Sequence, residues 1–338
     1  MTTALGARRA ELSAIERCLT AAAEDGRCQL VEIVGEAGIG KSHLLRTVAD
    51  RARARGVLVL RTGLTSAETT LSWAGLSVLV RQVDAELLES LPEMHRHLLG
   101  RASGAIVEGP VGADVVAFAF AELIHRLTSL RPVLLLVDDL HWLDVATAGA
   151  LASAVRANHD RRCAVVTARR VAVPVPVELD RIDDVEFHRV QLSGLSLAGT
   201  HDVLEANGHT GLRRPDLVRI HQLTRGNPLL AIELARARAE GAALSTVRYG
   251  DPLPTMGHLD RLDEHESAVA LSTALMARPT FDDVIDVVGA GAEEAIVRLR
   301  RSGLLDADGA TLRFTHPLRR EAVIERAGPP ELRRMHRR

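Results

Sequence analysis

One lysine stands among the 42 basic side chains of this 338-residue chain. It is Lys41, inside Gly35-Glu36-Ala37-Gly38-Ile39-Gly40-Lys41-Ser42. The spacing G-x-x-x-x-G-K-[ST] constrains the fold more than any other feature, because it links a strand to the N-terminus of a helix. Its glycines let backbone N–H groups wrap phosphates, the lysine reaches the terminal ones, and the Ser42 hydroxyl can ligate Mg²⁺. Wherever a generic positive charge suffices the sequence uses arginine, so a lone lysine marks a place where a compact ammonium fits and a planar guanidinium does not. The flanks agree. Cys28-Gln29-Leu30-Val31-Glu32-Ile33-Val34 reads as a strand entering the loop. Ser42 to Ala54 reads as a helix leaving it, with Leu44, Leu45, Val48, Ala49 and Ala52 on one face. Gly35 to Ser42, with His43 beside them, form the expected nucleotide-binding stretch; an ordinary glycine turn is the alternative.

A chain of this length accommodates two or three domains. Apolar residues make up 46% but aromatics only 2%, so the cores must be built from Ala, Leu and Val. A formal net charge of -2 is not the overall footprint of a nucleic-acid binder. The three cysteines, Cys18, Cys28 and Cys163, form no C-x-x-C pair and fit a reducing cytoplasm. The N-terminus lacks the apolar stretch of a secretory signal, and no run reaches the roughly 20 residues of a membrane span.

Strand-like runs at Leu30–Val34, Val57–Thr62, Val133–Val137, Cys163–Thr167 and Val185–Leu192 alternate with helical ones. This predicts an α/β fold, a parallel sheet flanked by helices. The segment from Leu64 to Gly112 reads as helical with a loop. Beyond Leu192 short helices take over at Ser196–Asn207, Pro215–Leu223 and Pro228–Glu240. A linker follows at Ala242–Pro254, then helices at Asp260–Met276, Phe281–Val288 and Ala292–Ser302. Two short strands around a turn, Gly303 to Phe314, complete what three helices and a hairpin suggest is a winged helix. The expected boundaries are a nucleotide-binding domain at 1–193, a helical lid at 194–245 and a winged-helix domain at 246–338.

A phosphate loop needs a carboxylate at the end of a nearby buried strand. Val133-Leu134-Leu135-Leu136-Val137-Asp138-Asp139 supplies one. Asp138 is the expected Mg²⁺ holder, with Ser42, and Asp139 the group that orients the attacking water. Loop capping is the bland alternative, but two acids ending an all-apolar strand are costly without a cation nearby. The spacing suits a sheet in which another strand separates the two motifs. Aspartate at 139 holds water less deeply than a glutamate would, so slow turnover follows. Arg169, ending the fourth strand, faces the same crevice if the sheet is parallel and could sense the terminal phosphate, against an ordinary surface arginine. His258 and His265 lack further ligands for a metal site.

Four ordered stretches together resemble the STAND class of AAA-type signalling ATPases. They are Gly35 to Ser42, Leu135-Leu136-Val137-Asp138-Asp139-Leu140-His141-Trp142-Leu143-Asp144, Arg225-Gly226-Asn227-Pro228-Leu229-Leu230 and Phe314-Thr315-His316-Pro317-Leu318. The nearest branch is the ATPase part of the large ATP-binding LuxR-type bacterial transcriptional regulators. The resemblance implies that Arg8 packs beside the nucleotide, although the usual preceding glycine is Ala7 here. It implies that Thr167-Ala168-Arg169 is a sensor, that Pro228 is a lid proline near the adenine, and that His316 approaches the β-phosphate of ADP in the closed state.

The leading expectation is an ATP- and ADP-controlled switch with Mg²⁺ and weak ATPase activity, acting through a protein partner or self-association. An initiator-like ATPase that binds DNA through its winged helix is the competing class. Glu293 and Glu294, in the first turn of the recognition helix, disfavour it because they repel a phosphate backbone. A nucleotide-binding scaffold without hydrolysis is the third.

Overall fold

The computed structural model describes residues 6–65, 68–104, 112–239, 262–276, 279–314 and 317–327. The chain divides into two compact units, Met1–Gly199 and Thr200–Arg338.

The first unit holds a five-stranded sheet of β1 (Gln29–Val34), β2 (Leu58–Gly63), β3 (Val133–Asp138), β4 (Cys163–Arg169) and β5 (Glu186–Gln191). All neighbours are parallel, in the order β2-β3-β4-β1-β5. β4 therefore lies between the strand that enters the phosphate loop and the strand that ends in Asp138, an arrangement the motif spacing suits. β1 and β3 are buried along their whole lengths, which is what near-continuous apolar strands predict for a sheet covered on both faces.

Strand alternation sorts the side chains into two cores. Val31, Ile33, Leu134, Leu136, Val166 and Ala168 pack on one face with α1 (Arg9–Asp25) and α2 (Lys41–Ala54). Leu30, Leu60, Leu135, Val137 and Val165 pack on the other. Their partners there are α3 (Ala74–Val80), α4 (Ala85–Glu89), α5 (Glu93–Ala102), α6 (Ala113–Leu130) and α7 (Val145–Ala157). α6 did not stand out in the sequence. Its apolar residues run almost without interruption, and its inner positions, such as Val116, Phe120, Leu123 and Leu127, are fully buried.

The second unit begins within the α8 helix (Leu197–Ala206), followed by α9 (Arg214–Thr224) and α10 (Pro228–Ala239). A separate core is formed by α11 (Glu264–Leu275), α12 (Phe281–Val288), α13 (Ala292–Arg301), the antiparallel hairpin β6 (Leu305–Asp308) and β7 (Thr311–Phe314), and α14 (Pro317–Arg326). The three helices and hairpin fall where the sequence put them; α14 is an addition. Arg319, in α14, is buried and meets Glu233 of α10 at 2.8 Å, so these two helices of the unit are joined by an ion pair. The linker expected at 242–254, His258, His316 and the terminal arginines fall outside the described residues. Among the described residues no helix is long and apolar enough to cross a membrane.

Candidate functional site

The phosphate loop starts where β1 ends. Gly35 is pinned there, its N–H donating to the Arg169 carbonyl at 3.3 Å. A Cβ at Gly35 would lie 2.8 Å from the Ile39 side chain and 3.2 Å from Leu192, so only glycine lets the chain turn beside β5. Gly40 has φ of 103°, a left-handed conformation, and hands the chain to α2 at Lys41. The loop thus delivers Lys41 and Ser42 at a helix N-terminus, where the backbone N–H groups and the helix dipole favour an anion.

Lys41 is only 6% exposed, and its ammonium donates to the carbonyls of Gly35 at 3.0 Å and Glu36 at 2.8 Å. Arg8 braces the loop from outside. Its guanidinium donates to the Ile39 carbonyl at 3.1 Å and to the Ser193 carbonyl beyond β5, and it pairs with Glu11 at 3.0 Å. The N-terminal element thereby fastens the loop to the exit of the last strand. The pKa of the His43 ring is lowered by partial desolvation, with a smaller contribution from Arg46.

Asp138, 8% exposed, ends β3 opposite this helix. Its Oδ1 accepts the Ser42 hydroxyl at 3.2 Å and the Asp139 N–H at 3.2 Å, and its Oδ2 accepts from Arg61 at 3.1 Å. Ser42 and Asp138 are 96 positions apart in the chain, and the fold makes them neighbours. Among the described residues no group of three or more His, Cys, Asp or Glu side chains is placed to hold a metal. The all-oxygen pair of Ser42 and Asp138 suits Mg²⁺, a hard ion that keeps several waters and takes phosphate oxygens, so few protein ligands are needed.

Asp139 sits at φ 47° and ψ 54°, left-handed for a residue with a side chain. Its carboxylate is 37% exposed and lies 4.0 Å from the buried His141 ring. The backbone of Arg169 adjoins the loop, but its side chain takes the opposite face of the sheet from Asp138. Its side chain follows the parity of Cys163 and Val165 onto the α6–α7 face, where its Nε is 2.9 Å from Glu32. The arginine expected as a phosphate sensor is thus ion-paired to a β1 acid and is not among the partners of Asp138. Pro228 opens α10 in the second unit.

Sequence reasoning passed over three residues. Glu32 is shared by Arg169 and by Arg189 of β5, at 2.8 Å. Arg61 holds the second oxygen of Asp138. The 1% exposed Asp144 caps α7 and accepts from the N–H groups of Trp73 at 2.8 Å and Gly75 at 3.1 Å, tying the segment after β2 to the turn after β3. A signal existed for Glu32 and Arg61: each is the one charge in a largely apolar strand, a placement that demands a partner. The three cysteines are free and buried. Cys163 shares a hydrogen bond with Cys28 and is fully buried, and both effects push its thiol well above its ordinary pKa.

Residues 5–166 match the family model of the AAA ATPase domain. No curated protein sequence matches the chain. Among solved structures it is similar to a signal transduction ATPase with numerous domains (STAND) carrying a tetratricopeptide repeat sensor, from Pyrococcus horikoshii. That likeness has 20% identity and a TM-score of 0.54, and covers 97% of this chain and 44% of that one. The chain therefore spans less than half the length of that structure. It is also similar to Cdc6p from Pyrobaculum aerophilum, at 15% identity and a TM-score of 0.45 over 94% of this chain and 93% of that one. A third similar structure is Aeropyrum pernix ORC1 in complex with DNA, at 16% identity and a TM-score of 0.43 over 97% and 94%. The matched segment, the parallel sheet and the loop at Gly35 to Ser42 agree: the chain carries an AAA-type P-loop ATPase domain.

Proposed function

We propose that the chain is a nucleotide-controlled switch of STAND type that binds ATP and ADP with Mg²⁺ and hydrolyses slowly, as the ATPase part of a LuxR-type transcriptional regulator. The observation that carries the reading is the Ser42–Asp138 contact, which unites the helix N-terminus of the phosphate loop with the acid ending β3. Lys41 would exchange its two loop carbonyls for phosphate oxygens, and backbone N–H groups of Gly38 to Ser42 would take the remainder. Ser42 and Asp138 would hold Mg²⁺, which would supply charge neutralisation on the terminal phosphates. Asp139 would orient the attacking water. Its short, partly exposed side chain favours slow turnover over a fast engine.

In this reading residues 1–193, 194–245 and 246–338 are the nucleotide-binding, lid and winged-helix domains. Arg8 and Pro228 line the nucleotide, and His316 latches the closed state. Exchange of ADP for ATP opens the chain toward a protein partner or further copies of itself. Phosphate release by wild type and by Asp139→Asn tests hydrolysis. A wild-type rate at least about tenfold above the variant is expected. Equal background rates would leave a nucleotide-binding scaffold.

The competing reading, direct DNA binding through α13, is opposed by a specific arrangement. Glu293 and Glu294 occupy the first turn of α13, and Arg298 is consumed by Glu266 and Asp263, each at 2.8 Å, with Glu294 at 3.9 Å. Arg300 and Arg301 remain at the far end of α13, but the two acids stand in the first turn, where a phosphate backbone would approach. A salt-dependent mobility shift of duplex DNA by the chain would reverse this preference.

A further inference from the structure

We infer that Arg61 is a positioning residue that sets the affinity of the Ser42–Asp138 pair for its divalent cation, an assignment that rests on the nucleotide-site reading above. β2 is an edge strand, so the outward N–H and carbonyl of Arg61 have no strand to pair with. The side chain of Gln82 takes both: its Oε1 accepts from Arg61 N at 2.9 Å and its Nε2 donates to Arg61 O at 2.8 Å. The backbone of Arg61 is therefore fixed on both sides, and its side chain is directed along the same face as Asp138. Two residues on, Gly63 pairs with Asp138 across the strands, and a Cβ there would stand 3.1 Å from the Asp138 Cβ. The close approach of the strand ends brings the guanidinium to Asp138 Oδ2 at 3.1 Å.

The result is a divided carboxylate. Oδ2 is committed to a cation, and Oδ1 is turned toward the Ser42 hydroxyl. A metal at Ser42 and Asp138 meets an acid whose charge is already matched and a fixed positive charge a few ångströms beyond it. Coulomb repulsion between Arg61 and a dication then weakens metal binding, and the restrained carboxylate presents one oxygen instead of two. The acid also stays paired when no metal is bound, so nucleotide can be held without leaving a bare buried carboxylate.

The test uses the full chain and a fluorescent ADP analogue, with the Mg²⁺ concentration giving half-maximal change measured for wild type, Arg61→Gln, Arg61→Lys and Arg61→Met, each checked for folding by thermal melting. The two neutral variants should reach half-saturation at about tenfold lower Mg²⁺, while Arg61→Lys, which keeps the charge, stays within about twofold of wild type. The gap between wild type and neutral variants should shrink as ionic strength rises, since Arg61 is a third exposed and its field is screened. A merely structural prop would show no such salt dependence. Neutral variants with unchanged or weaker Mg²⁺ dependence would overturn the assignment while leaving the site reading intact. A wild type whose nucleotide binding ignores Mg²⁺ would remove the metal site itself, and the role of Arg61 with it.

Discussion

Two buried acids lie near the same edge of the sheet and are satisfied in different ways. Glu32 faces α6 and α7, and both its oxygens meet guanidiniums, Arg169 at 2.9 Å and Arg189 at 2.8 Å. Asp138 faces α2; one oxygen meets Arg61, and the other accepts only neutral donors, the Ser42 hydroxyl and the Asp139 N–H. An acid saturated by cations has no electrostatic capacity left, whereas one whose second oxygen meets neutral groups can still take a metal. Saturation, more than burial, separates the acid that ties two strands together from the acid proposed to hold the metal.

The strongest way to break this comparison is on the α2 face. Lys41→Ala removes an ammonium that would make at least two charge-assisted bonds to phosphate, worth about 3–4 kcal/mol together. Titration with a fluorescent ADP analogue should show affinity falling by about a hundredfold or more. The melting temperature should drop by no more than about 4 °C, roughly 1 kcal/mol for a domain of this size. Retained tight binding by this variant would refute the phosphate-loop reading.

On the opposite face the pattern should invert. Glu32→Gln leaves two partly exposed arginines facing a neutral amide, which should destabilise the first unit by about 2 kcal/mol and lower its melting temperature by about 4–8 °C. Nucleotide affinity should change less than about threefold. A hundredfold loss of affinity with an unchanged melting curve would instead place Glu32 and Arg169 in the site.

The smallest effect tests exposed acids of the second unit against these buried ones. Asp283 closes a capping box at α12, and its hydrogen bonds from the Thr280 hydroxyl, then from the Thr280 N–H, hold its carboxyl below the ordinary value. A folded-state value below the unfolded one gives stability that is present at neutral pH and lost as the pH falls through the lowered value. Wild type should therefore melt slightly higher than Asp283→Asn at neutral pH, and the gap should close below about pH 4. A gap that widens on acidification would contradict the assigned cause.

Much of the first unit was legible because its rules are local. The loop spacing, the apolar run before Asp138 and the alternation of strands and helices each sit within a few consecutive residues. The pairing of Ser42 with Asp138 followed from what a phosphate loop requires. Arg169 shows where this reasoning stops. The sequence places it at the right end of a parallel strand, but which face its side chain takes, and that Glu32 lies two residues below it on the neighbouring strand, depends on sheet order and register. The charge of Arg61 within a strand signalled a need for a partner but not which one, since Asp138 lies 77 positions away and Gln82 fixes the strand from outside.

The amide of Gln82 has a consequence for how copies of this chain can meet. At Arg61 it imitates the peptide group of an adjoining strand, offering one acceptor and one donor where a sixth strand would dock. An incoming extended segment finds the middle of β2 already taken, so growth of the sheet by edge addition, the usual route from exposed strands to aggregates, is blunted there. In the proposed switch, contacts between copies of the chain would leave this part of the β2 edge closed.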